Sequence, residues 1–379
     1  MEKILIIHNE YQQLGGEDIA VNKEIDILSN YFEVETLIFN NNLKNKISLL
    51  LSFLLVTNFY SNYLLKIKLK QFNPDLVYVH NTWFKASLGI FNILKKRNIK
   101  TVVKLHNFRY FCTKSFFKFH HVKKGDICHA CGASGDRFLF NKYFSNSLLK
   151  SLFVIRYGIK YFKILKQKDL MKIVLTNHHK KFLKEMDIVD GVFVNPNFKP
   201  NFNKSVTNEK ENLIVYAGRI SKEKGVDIII KSFKNSDLQS YKLKIIGKGP
   251  CYDQLKKEYQ DEKIEFLGEI SNSQTLEIIS NAKAVITATK LFEGQPTLLC
   301  EASSLGAVSI FPKTGGISEF FPKDNKFSFN QFDYEDLTKK INLLKDNDEV
   351  NKQSVINKKY IEEYLNEEKL IKNFSNDFL

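Results

Sequence analysis

The chain has 379 residues, 43% apolar and 13% aromatic, with 57 Lys and Arg against 42 Asp and Glu for a formal charge of +15. That length calls for two domains, and the apolar content excludes a disordered polycation. Five unevenly spaced cysteines exclude a disulfide framework and suit a reducing interior.

Met1-Glu2-Lys3 leads straight into Ile4, Leu5, Ile6 and Ile7, too short an apolar run for a signal peptide, which predicts a first buried strand. Further strands are predicted at 34–38, 76–79, 101–105, 173–176 and 191–194, then at 213–216, 242–246, 263–267, 284–287 and 308–311. Each is followed by a loop and a helix-period segment, so two sets of βαβ units form two doubly wound α/β domains. The predicted boundaries are an N-terminal domain over 1–195, a linker over 196–210 rich in Asn and Pro, and a C-terminal domain over 211–358. The tail, 359–379, reads as one helix able to pack back on the first domain. The longest apolar stretch, 47–56, is far short of a bilayer span of about 20 residues.

In open α/β sheets, ligands bind in the loops beyond the carboxyl ends of strands. After strand 213–216 come Gly218, Arg219 and Lys224, two cations five residues apart that suit a diphosphate. After strand 284–287, Glu293 and Glu301 flank Gly294 and the start of a helix, a pattern that suits sugar or ribose hydroxyls. Gly315 and Gly316 follow the next strand, and Gly15 and Gly16 the first; both pairs are expected to offer backbone amides to an anion.

These motifs, together with Val79-His80-Asn81-Thr82, Leu105-His106-Asn107-Phe108-Arg109 and Gly247-Lys248-Gly249-Pro250, resemble retaining family 4 glycosyltransferases of GT-B fold, the glycosyl transferases group 1. The likeness covers nearly the whole chain. It implies two Rossmann-like domains facing across a cleft and a hexosyltransferase-type activity, EC 2.4, on a nucleotide diphosphate sugar. It assigns Arg219 and Lys224 to the diphosphate, Glu301 to the ribose, and Glu293 with the amides near Gly294 to the transferred sugar. Gly15 and Gly16 would approach the diphosphate from the opposite face, and His106 the sugar. Two cations and aimed amides can stabilise the departing diphosphate, so no metal cofactor is expected. A sugar-nucleotide epimerase or a phosphorylase of the same fold would share this donor crevice.

Cys112, Cys128 and Cys131, near His120 and His121, could form a structural zinc site, although the second Cys pair of a strong zinc pattern is missing. The charge is uneven: residues 1–200 carry 31 basic and 15 acidic residues, and 201–379 carry 26 and 27. Residues 41–184 hold 28 basic and only four acidic residues, in stretches with amphipathic helical character. This predicts an anionic membrane surface as partner, a saccharide or lipid-linked acceptor, and a cytoplasmic protein peripheral to the inner face of the membrane. Nucleic acid is the lesser alternative, because no recognised binding module is visible.

Overall fold

The computed structural model describes residues 1–10, 16–41, 52, 55–108, 127–130, 148–199 and 210–379. Gly15, Cys112 and Cys131 lie outside the described residues, as does much of 41–184. Contacts divide the chain into a first unit, 1–198 with 367–379, and a second, 199–366.

The first unit holds a six-stranded parallel sheet in the order β2-β1-β3-β4-β5-β6. Its strands are β1 Lys3–Glu10, β2 Glu33–Asn40, β3 Leu76–Val79, β4 Thr101–Leu105, β5 Met171–Val174 and β6 Val192–Val194. Ile4, Leu5, Ile6 and Ile7 are all fully buried, as are Leu76, Val77, Tyr78 and Val79, because helices cover both faces of a parallel sheet. The helix Phe59–Phe72 starts where the Asn58 side chain accepts from Tyr60 N and Ser61 N, and ends at left-handed Asn73.

The expected tail helix is two helices. Asn347–Tyr364 belongs to the second unit, where Ile361 and Leu365 join its core. Glu367–Phe378 instead buries Leu370, Ile371, Phe374 and Phe378 with Ile4, Ile6 and Tyr78 of the first unit. Two separate cores claim the two halves of the tail, so the helix breaks between them. Burying each Phe is worth about 1.5–3 kcal/mol.

The second unit carries another parallel six-stranded sheet, in the order β12-β11-β10-β7-β8-β9. Its strands are β7 Glu211–Ala217, β8 Lys242–Ile246, β9 Ile264–Gly268, β10 Ala282–Ile286, β11 Val308–Pro312 and β12 Ser328–Phe329. All are anticipated from the sequence except β12, whose two residues are too few for a period to show. Strand order reverses between β1 and β3 in one sheet and between β7 and β10 in the other, and these switch points are where such folds open crevices for ligands. Among the described residues, no helix is long and apolar enough to cross a membrane.

Candidate active site

In the second unit, the loops after β7, β10 and β11 converge at the switch point. Tyr216, at the end of β7, donates from its hydroxyl to Arg219 O at 2.8 Å and so shapes the turn that carries the exposed Arg219 side chain. Burial, with Glu293 and Glu223 nearby, pushes the Tyr216 hydroxyl well above its ordinary pKa, which keeps it a donor. Gly225 has φ +67, and a Cβ there would stand 2.4 Å from Ala288 O, so only glycine lets the two loops pass this closely. Lys290 N donates to Glu223 O at 2.8 Å and ties them further.

Lys224 Nζ lies 2.6 Å from Glu293 Oε1, with both side chains 28% exposed. The same carboxylate oxygen accepts from Thr289 Oγ1 at 2.8 Å, and Leu291 N donates back to Thr289 Oγ1 at 3.2 Å. Lys224, expected to share a diphosphate with Arg219, is thus paired here with the carboxylate expected to bind sugar. Gly315 has φ +56 and passes so near Glu293 that a Cβ would lie 2.6 Å from its N and O atoms. Gly316 N donates to Glu293 O at 2.8 Å. The Gly316 amide, read from sequence as open to an anion, is therefore spent on holding the Glu293 backbone. Gly294 is buried beside it, and Glu301, 6% exposed, projects from the helix Thr297–Ser304.

Sequence reasoning missed three hydroxyls in these loops. One is Thr289. The others are Ser221 and Thr314, whose Oγ atoms are buried with no hydrogen-bond partner in the protein. Such atoms are costly unless a ligand or water satisfies them. Thr314 stands at the head of the Thr314-Gly315-Gly316 motif, but no pattern singles out its hydroxyl or those of Thr289 and Ser221.

In the first unit, His8 of β1, His80 after β3 and His106 after β4 gather at the sheet's carboxyl end. His8 Nε2 is 2.8 Å from Asp18 Oδ1 in the first turn of the helix Gly16–Leu28. His80 Nδ1 is 3.1 Å from His106 Nε2. Beneath them, Lys104 Nζ donates to Glu24 Oε1 and Oε2 at 3.0 and 3.1 Å, and Tyr78 donates to Glu24 Oε1 at 2.8 Å. Burial, and then neighbouring cationic groups including Lys104, hold His80 and His106 well below the usual histidine range. A small cleft over this cluster is lined by Glu17, Asn81, Thr82, His80, His106 and Tyr161 among others. Among the described residues, nothing lies within 4 Å of the place a Cβ on Gly16 would take.

Among the described residues, no group of three or more His, Cys, Asp or Glu could hold a metal ion, and of the candidate zinc ligands only Cys128 is described. The chain does contain one Asp-x-Asp, Asp346-Asn347-Asp348. There Asp346 caps the helix Asn347–Tyr364 by accepting from Glu349 N at 3.0 Å.

The geometry at the second switch point coincides with a family match over residues 197–363, to the model described as glycosyl transferases group 1. The matched residues make up under half of the chain. Two curated glycosyltransferases align with part of the chain. The amylovoran biosynthesis glycosyltransferase AmsD of Erwinia amylovora is 28% identical over 156 residues, 38% of this chain. The phosphatidylinositol N-acetylglucosaminyltransferase gpi3 subunit of Schizosaccharomyces pombe is 27% identical over 146 residues, 37% of this chain. The alignments span 44% and 31% of those relatives' own lengths. At the level of fold, the chain superposes on Anabaena HepE, solved with UDP and glucose, with a TM-score of 0.70 and 14% identity over 99% of each chain. The two parallel sheets are the pair of Rossmann-like domains of the GT-B fold, as the sequence motifs predicted.

Proposed function

We propose that the chain is a retaining glycosyltransferase that moves a sugar from a nucleotide diphosphate sugar to a saccharide or lipid-linked acceptor. The pathway we assign is cell-surface polysaccharide or glycolipid synthesis. The observation that carries this reading is the meeting of Lys224 and Glu293 at the switch point of a group 1 domain, with Thr289 on the same carboxylate oxygen. Arg219 and Lys224 bind the diphosphate, and with the amides near Gly294 and at Gly315 they stabilise the charge that develops as it leaves. Glu301 takes the ribose hydroxyls, while Glu293 and His106 take the transferred sugar. Gly15 and Gly16 offer amides to the diphosphate. The acceptor oxygen forms its bond to the anomeric carbon on the face from which the phosphate departs. The C–O bond to phosphate breaks, and the acceptor's proton passes to the departing phosphate oxygen, so configuration is retained with no covalent enzyme intermediate.

The first unit serves as the acceptor side, at the inner face of the cell membrane. On the helix Phe59–Phe72, Phe59, Tyr63, Lys66 and Lys70 fall at i, i+4, i+7 and i+11 and are all exposed, while Leu65, Leu69 and Phe72 face the core. Exposed aromatics in line with lysines suit an anionic headgroup layer. A thermal-shift panel of UDP, GDP and ADP sugars, followed by turnover with and without glycan or lipid acceptors, tests the reading. Acceptor-dependent consumption with a retained anomeric product supports it. Acceptor-independent conversion to another sugar nucleotide refutes it. Vesicles of anionic lipid should bind the protein in low salt and release it in high salt.

A further inference from the structure

The carboxyl ends of β3 and β4 bring together two imidazoles whose relation the donor grip does not explain. His80 is 2% exposed, His106 is part-exposed in the cleft, and their rings stack with centroids 5.4 Å apart at 29°. At 3.1 Å between His80 Nδ1 and His106 Nε2, one hydrogen must lie between the two nitrogens. Burial and the adjacent Lys104 cation keep both rings neutral, so each carries a single hydrogen.

Only two arrangements satisfy this. If His106 donated from Nε2, His80 would carry its own hydrogen on Nε2, an atom buried with no hydrogen-bond partner. If His80 donates from Nδ1, that buried Nε2 holds only a lone pair. An orphaned buried N–H is the rarer and costlier defect.

We propose that His80 Nδ1–H donates to His106 Nε2, fixing His106 as the Nδ1–H tautomer and making His80 a positioning residue for it. His106 then offers a hydrogen to the bound ligand, so the atom it meets is an acceptor oxygen of the sugar. This last step rests on the sugar-binding role proposed above for His106.

Nitrogen-15 correlation spectra of histidine-labelled, unliganded protein read the tautomer directly and independently of turnover. The expected result is a protonated His106 Nδ1 and a bare His106 Nε2; the reverse pattern overturns the assignment. His80→Asn keeps an amide donor near the position of imidazole Nδ1 and should preserve both the tautomer and most of the turnover. His80→Phe keeps a ring but no donor. It should release His106 to Nε2–H and lower turnover about tenfold, the worth of one lost hydrogen bond. An unchanged His106 tautomer in His80→Phe would sink the proposal whatever the protein transfers.

Discussion

Lys224 Nζ and Glu293 Oε1, 2.6 Å apart and 69 residues apart in sequence, join the loop after β7 to the loop after β10. Each is already held by the other, so on the proposed reading a diphosphate entering the site draws Lys224 from carboxylate to phosphate. Under the same proposal, that exchange leaves Glu293 held by Thr289 alone among the described side chains. Lys224→Met should therefore weaken binding of a nucleoside diphosphate. Glu293→Gln should leave that binding intact and lower turnover by roughly 10²–10³-fold, as loss of a group acting on the transition state does. Thermal shift with UDP or GDP separates the two effects, and near-normal turnover in Glu293→Gln would remove the role assigned to it.

Thr289, 2% exposed, donates its hydroxyl to Glu293 Oε1 at 2.8 Å. Thr289→Val keeps the volume and removes the donor. A hydrogen bond to a charged group is worth about 1.5–3 kcal/mol, so turnover should fall by roughly 10–100-fold. Thr289→Ser should restore most of it. Equal loss in both variants would mean that packing, not the hydroxyl, matters at this position.

At Gly315 the demand is steric. With φ +56 and Glu293 backbone atoms 2.6 Å from the place of a Cβ, Gly315→Ala must displace the Glu293 loop. The expected cost is about 1–3 kcal/mol, seen as a lower melting temperature accompanied by lost turnover. Gly316 sits at φ −90, which any residue adopts, and Gly316→Ala retains the N–H that Glu293 O accepts. It should melt closer to the wild type. Similar melting of both variants would show that the contact at Gly315 relaxes freely.

The loops just described also mark what the sequence could and could not disclose. Eleven strands could be placed because parallel strands buried on both faces read as short apolar runs. The strand order then puts Arg219, Lys224 and Glu293 at one switch point, which turn chemistry alone already suggested. What stayed hidden is pairing between side chains of different loops. Lys224 with Glu293, Thr289 with Glu293 and His80 with His106 depend on how neighbouring strands are staggered. No local pattern encodes that stagger. The break near Leu365 was equally invisible, since the helical period continues through it and only the presence of two cores divides the tail.

Lys104 and Glu24 form a pair whose side chains are 0% and 3% exposed. Both charges depend on it, because neither side chain reaches solvent, and among the described residues Tyr78 is the other side chain that donates to Glu24. Lys104→Met leaves the Glu24 carboxylate buried without a cation and should cost about 3–5 kcal/mol. Adding Glu24→Gln to that variant should recover much of the loss. Denaturant midpoints of the single and double variants measure the coupling. Additive losses would mean that the pair contributes through shape alone.

Imidazoles with lowered pKa, His8 among them, make the first unit acid-sensitive. Burial is the leading cause that holds His80, His106 and His179 below the ordinary histidine pKa, with His179 pushed down to about 3. Each folded pKa lies below the unfolded value of 6.5, so the folded chain binds fewer protons than the unfolded chain in between. Their contribution to stability is therefore complete above pH 6.5 and declines as pH falls below it, for His179 down to about 3. At pH 5.5 His179 forfeits on the order of 1 kcal/mol. Denaturant midpoints should fall between pH 7.5 and 5.5. His179→Phe, which places a ring against Phe108 at a site where the two ring centroids are 4.1 Å apart, should lessen that fall by one proton's share. A midpoint that does not move over this interval would show that protonated imidazoles are accommodated in the fold.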